Sequence, residues 1–115
     1  NIAVKDLDAA RSFYEGTLGL EEVEANDEVS VLKSGKSTIN LYRSQYAGTN
    51  KATAVTWTVG DELDDVVKTL RGKGVRFEHY DMPGVVRKGD VHVAGDMKVA
   101  WFKDPDGNIL NVANH

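Results

Sequence analysis

Cysteine is absent from the sequence. That excludes disulfides, thiol nucleophiles and thiolate metal sites, and it is compatible with a cytoplasmic location. Histidine occurs only at His79, His92 and His115, so an imidazole-based metal site has few sources. No long apolar run is present, which excludes a membrane-spanning helix. The formal charge is -4 and the pI about 5.3, with Lys and Arg scattered among acids. Without a concentrated basic patch, nucleic acid is not an expected partner. No nucleophile–base arrangement is legible, and no Gly-rich phosphate loop follows a strand. The chain opens at Asn1 rather than Met, so residues upstream of it are expected.

What is present is one domain's worth of chain: 115 residues, 41% hydrophobic and 28% charged. Two halves read alike. Asn1–Val4 is a short apolar entry. A helical pattern follows, with Leu7, Ala10, Phe13, Tyr14 and Leu18 on one face, Asp6 or Asp8 to cap it, and Gly16 and Gly19 to end it. Strand patterns come next near Glu21–Glu24, Val29–Lys33 and Thr38–Arg43. In the second half Ala54–Val59 is a strand. Asp61 is expected to cap a helix with Leu63, Val66, Val67 and Leu70 on one stripe, and Gly72 and Gly74 stop it. Arg76–Tyr80 is a strand. Lys98–Lys103 and Ile109–Ala113 form a hairpin across Asp104-Pro105-Asp106-Gly107-Asn108, where Pro and Gly set the turn angles. The expected architecture is α+β: two βαβββ modules, residues 1–43 and 54–115, joined by a linker over 44–53 into a single domain.

Side chains alternate along a strand. Ile39 and Leu41, Val55 and Trp57, and Leu110 and Val112 form apolar faces that must pack on the helices. The opposite faces carry Thr38, Asn40 and Tyr42, then Ala54, Thr56 and Thr58, then Ile109, Asn111 and Ala113. A mostly uncharged polar face suits a concave pocket for a small organic ligand; a partly exposed sheet with Thr favoured by strand propensity is the plainer alternative.

Three stretches carry a resemblance: Asp6-Leu7-Asp8 through Phe13-Tyr14, Leu18-Gly19-Leu20, and Trp101-Phe102-Lys103-Asp104-Pro105-Asp106-Gly107-Asn108. On them the chain resembles the vicinal oxygen chelate superfamily, which includes glyoxalase I, extradiol dioxygenases, fosfomycin-resistance enzymes and bleomycin-resistance proteins. The resemblance implies paired βαβββ modules, a cupped mixed sheet with helices outside, and a homodimer. It also implies four metal-ligand positions. The first lies upstream of Asn1, and the others align with Asn40, Ala54 and Asn111. Alanine offers no donor, and two neutral amides are weak ligands. No metal and no other cofactor is therefore expected. Asn40 and Asn111 either contact a ligand directly or satisfy buried backbone groups.

Other candidates are less constrained. His92 lies in the Gly-containing segment Asp81–Met97, which reads as a lid or pocket wall with a short strand at Val91-His92-Val93. If Ala100 and Phe102 face the helices, Trp101 faces the cup, where an indole can stack on a planar ligand; core packing is the rival. Tyr42 and Tyr46 flank the linker, and Tyr46 is placed to close over a pocket. The expected ligand-binding set is thus Asn40, Tyr42, Tyr46, Thr56, His92, Trp101 and Asn111, with no catalytic residue assigned. The expected function is metal-independent binding of a small molecule. The alternative is a glyoxalase- or dioxygenase-type enzyme with a non-standard metal or acid–base site.

Overall fold

The alternation of apolar residues read from the sequence becomes two mixed sheets in the computed structural model, which describes residues 1–114. His115 lies outside the described residues. The chain divides into two units, one of residues 1–54 with 104–108, the other of residues 55–103 with 109–115.

In the first unit, strand β1 (Ile2–Val4) leads into helix α1 (Leu7–Arg11), which continues as a π-helical turn over Ser12–Thr17. Three strands follow: β2 (Glu21–Ala25), β3 (Val29–Ser34) and β4 (Ser37–Arg43). The sheet order is β1-β4-β3-β2, with β1 parallel to β4 and the remaining pairs antiparallel. This is the expected βαβββ order. Of the two candidate caps, Asp6 fills the role: its carboxylate accepts from the Ala9 amide at 3.1 Å. Leu7, Ala10 and Tyr14 are buried, whereas Phe13 is only half-buried. The wider π turn brings Tyr14 inward. One sheet face buries Ile2, Val4, Leu32, Ile39 and Leu41.

The second unit contains most of β5 (Thr53–Thr58), then a 3₁₀ turn at Gly60–Glu62, helix α2 (Leu63–Gly72), β6 (Phe77–Glu78), β7 (Val86–Lys88), β8 (Val91–Ala94), β9 (Met97–Lys103) and β10 (Ile109–Ala113). The order is β5-β10-β9-β8-β7. One edge of β9 meets β10. Along its other edge, β8 pairs with residues 97–99 and β6 with residues 101–102. Leu63, Val67 and Leu70 of α2 are buried, as are Ala100, Phe102, Leu110 and Val112 of the sheet. Burying those two stripes together is what holds helix and sheet. Trp57 stacks on Phe102 with centroids 6.5 Å apart, so β5 turns its Val55–Trp57 side to the core as its alternation requires.

Two local expectations are corrected and a third is extended. Asp61 does not cap α2: it falls inside the 3₁₀ turn, and α2 begins without a side-chain cap. Arg76–Tyr80 shortens to Phe77–Glu78, because only those residues find partners on β9. Asp81–Met97 holds the short strand expected at Val91–Val93 as β8, paired with a second strand the sequence did not mark. Its β7–β8 hairpin turns over Gly89-Asp90 and extends the sheet, which satisfies the segment's backbone groups.

The motifs that carried the resemblance prove to be structural in the first unit. Asp104 is buried and accepts four hydrogen bonds. Its Oδ1 takes the Asp106 and Asn108 amides at 3.0 and 2.9 Å, and its Oδ2 takes Tyr14 Oη and Asn108 Nδ2 at 2.7 and 2.8 Å. Asn108 Nδ2 also reaches the Ala3 carbonyl at 2.8 Å, and the Lys5 amide donates to Asp106 Oδ1 at 2.9 Å. The Asp-Pro-Asp-Gly-Asn turn therefore ties β1 and the helical segment together. Burial, together with the Asp104 carboxylate, pushes the Tyr14 phenol far above its ordinary range. It remains a neutral donor.

Candidate functional site

The register of the second sheet decides which side chains share a face. Antiparallel partners lie side by side on the same face. Asn111 pairs with Trp101, His92 with Val99, and Glu78 with Trp101. Val99 and Trp101 are two residues apart on β9, so all of them project to one side. Ala100 and Phe102 project to the other, where both are fully buried. Trp101 is thus on the face away from the helix, as its alternation with Phe102 predicts. Thr56 alternates with Trp57, which stacks on Phe102, so Thr56 shares the Trp101 face and is exposed there.

Around Trp101 the face is aromatic. The His92 ring stands edge-on to the indole with centroids 4.9 Å apart, and the Tyr80 ring does likewise at 5.3 Å. Sequence reasoning placed Tyr80 at the end of a strand and did not single it out for the site; the chain leaves β6 after Glu78 and carries its ring to Trp101. The backbone amide of Tyr80 donates to His92 Nε2 at 2.9 Å. An imidazole nitrogen that accepts cannot carry a proton. His92 is therefore neutral in this arrangement, with its hydrogen on Nδ1.

Two polar atoms on this face stand out. His92 is 3% exposed and Asn111 is 8% exposed. His92 Nδ1 and Asn111 Oδ1 are buried with no hydrogen-bond partner among the described residues. Leaving such a group unpaired costs on the order of 1–3 kcal/mol, so two of them on one face, a donor and an acceptor, are unusual for a purely structural surface. The expectation that Asn111 satisfies a buried backbone group finds no support at its oxygen.

The hairpin that carries His92 is clamped from outside. Asp90, in the β7–β8 turn, accepts from Arg71 Nη2 of α2 at 2.6 Å and from Arg71 Nε at 2.9 Å, and its other oxygen lies 2.7 Å from His79 Nε2. The hydrogen bond from His79, with the Arg71 guanidinium beside it, holds the Asp90 carboxyl below its ordinary value despite partial burial. No local pattern pairs these residues, which are 11 and 19 positions apart.

Asn40, Tyr42 and Tyr46 belong to the first unit. Asn40 pairs with Val31 and Tyr42 with Val29, so both lie on the face opposite Ile39 and Leu41. Asn40 Nδ2 donates to Asn1 Oδ1 at 3.1 Å. This face is neutral at its centre, but Lys33 and Glu21 share it toward the β2 edge. Tyr42 is exposed, and Tyr46, in the linker, is 69% exposed. A hollow of about 820 Å³ opens elsewhere in the first unit, lined by residues that include Asp6, Asp8, Arg11, Asp27 and Arg43. It contains none of the expected binding residues. Its Arg11 is engaged by Glu22 at 2.9 Å and Asp8 at 3.3 Å.

The residues aligned with metal-ligand positions do not fit a divalent ion. Ala54 has no donor atom, the Asn40 amide is engaged with Asn1, and Asn111 faces Trp101 across β9, which offers no ligand. Among the described residues, no group of three His, Asp or Glu side chains is placed to hold a metal.

A family model described as the Glyoxalase/Bleomycin resistance protein/Dioxygenase superfamily matches residues 1–112. Similar solved structures include a lactoylglutathione lyase from Agrobacterium tumefaciens, 21% identical, with a TM-score of 0.73 over 97% of this chain and 87% of that one. A glyoxalase/bleomycin resistance protein/dioxygenase from Alicyclobacillus acidocaldarius is 19% identical, with a TM-score of 0.74 over 97% and 85%. A genomically encoded fosfomycin resistance protein from Listeria monocytogenes is 15% identical, with a TM-score of 0.69 over 99% and 86%. At these identities the likeness concerns the fold.

Proposed function

The chain belongs to the glyoxalase/bleomycin resistance protein/dioxygenase superfamily, and from that premise we propose that it binds a small organic molecule without a metal. The binding face is the one bearing Thr56, His92, Trp101 and Asn111, with Asn40 and Tyr42 on the corresponding face of the first unit. One observation carries this reading: a buried donor on His92 and a buried acceptor on Asn111, on one side of a sheet with Trp101, neither with a partner among the described residues. The donor set at the aligned ligand positions supports metal independence, since an alanine and two amides supply no charge.

The test joins a wide small-molecule panel, scored by thermal shift, to metal analysis of protein purified without chelator. Stabilisation by an organic compound, with no stoichiometric metal and no shift from divalent cations, is the expected result. Failure of every compound to bind overturns the binding reading. Stoichiometric zinc, manganese or iron overturns metal independence and brings forward the glyoxalase- or dioxygenase-type enzyme. The same reading includes a homodimer in the cytoplasm. Light scattering of the purified chain tests the first, and fractionation of its host cell tests the second. Among the described residues no helix is long and apolar enough to cross a membrane.

A further inference from the structure

We infer that the ligand is a neutral, planar aromatic molecule with a hydrogen-bond acceptor at one end and a donor at the other, the acceptor end meeting His92 and the donor end meeting Asn111 across Trp101. This rests on the binding reading above and specifies what that face selects.

The polarity follows from the tautomer. Because His92 Nε2 accepts from the Tyr80 amide, Nδ1 bears the hydrogen and can only donate. Asn111 Oδ1 can only accept. The two atoms therefore ask for opposite groups and cannot be served by a single carboxylate or a single ammonium. Charge points the same way. Lys103 and Glu78, which share this face with Trp101, lie 3.6 Å from each other, and Arg87, opposite His92, turns its guanidinium toward the Gly89 carbonyl. An ionised group set between His92 Nδ1 and Asn111 Oδ1 would lose its hydration beside two neutral partners.

The spacing sets the size. His92 and Asn111 lie on the two strands flanking β9, opposite Val99 and Trp101. Two strand spacings of about 4.8 Å and two residue rises of about 3.4 Å separate their backbones by about 12 Å. The His92 ring stands 4.9 Å from the indole, centroid to centroid, and side-chain reach from both strands brings the two polar atoms to roughly 10 Å. Two hydrogen bonds of about 2.9 Å leave about 4–6 Å between the ligand's polar ends, the length of one or two fused aromatic rings. Such a body suits the indole of Trp101. Entry requires side chains on this face to turn aside, since both polar atoms are buried. The Tyr80 backbone amide holds the imidazole through Nε2 and leaves Nδ1 free to meet the ligand.

Four bicyclic probes test this on the whole chain by calorimetry: 6-aminoquinoline with both polar ends, quinoline with the acceptor, 2-aminonaphthalene with the donor, and naphthalene with neither. The expected result is that 6-aminoquinoline binds about tenfold more tightly than either single-ended probe. His92→Phe should erase the advantage of the ring nitrogen alone, and Asn111→Leu that of the amino group alone. Equal affinity for all four overturns the inference while leaving a binding face intact. Failure of all four overturns the inference, and the wide panel then decides the broader reading. Nitrogen-15 shifts of the wild-type imidazole check the premise without any variant. A protonated Nδ1 and bare Nε2 on His92 support the inference, and the opposite tautomer overturns it.

Discussion

Tyr14 Oη donates to Asp104 Oδ2 across 2.7 Å, joining the helical segment of the first unit to a turn 90 residues later in sequence. Both groups are buried, and Asp104 is further held by two backbone amides and the Asn108 side chain. The Phe-Tyr and Asp-Pro-Asp-Gly-Asn motifs thus meet in one network whose work is to hold the fold.

Tyr14→Phe removes one donor from a buried carboxylate and is expected to cost about 1–3 kcal/mol in urea unfolding. The same site governs alkaline behaviour. Tyr14 is raised above its ordinary value of 10.0, so its contribution is complete below that pH and is lost as pH rises toward the folded-state value. Ultraviolet titration should show Tyr14 ionising only as the protein unfolds. Its ionisation in the folded protein near that ordinary value would contradict the buried hydrogen bond.

Gly48 and Gly35 predict a contrast. Both have positive φ, +73° and +59°. A β-carbon on Gly48 would sit 1.9 Å from the Asp106 carbonyl oxygen, whereas at Gly35 it would meet open space. Gly35→Ala should cost about 1 kcal/mol from backbone strain alone. Gly48→Ala must also displace the Asp106 turn and should cost about 3 kcal/mol or more. Equal losses in denaturant midpoints would show that the linker does not pack on that turn.

Asp90 makes a prediction of the opposite pH sign from Tyr14. Its folded-state value lies below the ordinary 3.8. Its contribution is present above that pH and disappears as pH falls through the folded value. Asp90→Asn should therefore destabilise at neutral pH, by up to about 1 kcal/mol for each partly exposed pair, and should match the wild type in strong acid. Thermal midpoints from neutral to acid pH would reveal the convergence; a constant gap would assign the loss to packing instead of charge.

Asn111 should show a trade between stability and binding. Replacing a buried, unpartnered amide oxygen by an apolar group of similar size removes a desolvation cost, so Asn111→Leu is expected to leave stability unchanged or raise it by up to about 1 kcal/mol. His92→Phe should instead lower stability by about 1–2 kcal/mol, because the Tyr80 amide loses its acceptor. Paired urea titrations of the two variants distinguish these outcomes. A marked loss in Asn111→Leu would mean that the amide has a structural partner.

Much of the fold was legible because its signals are local. Alternation placed Ile39 and Leu41, then Leu110 and Val112, on buried faces, and the turn residues between β9 and β10 marked the second hairpin. The failures were equally local. Asp61 looks like a cap, but the chain makes a 3₁₀ turn there. The segment around His92 has three glycines and little periodicity, which hid the β7–β8 hairpin.

By itself the sequence determined the two-module α+β order, the opposite faces of Trp101 and Phe102 and the lack of donors at Ala54. Each follows from a two-residue strand period or from the chemistry of a single side chain. Only the tertiary structure decided what His92, Tyr80 and Asn111 do. A one-residue change in strand register would send His92 to the other face, and its tautomer depends on an amide 12 residues away in sequence. The roles of Asp104 and Asp90 likewise come from partners far along the chain, because a carboxylate's environment is set by what folding brings beside it.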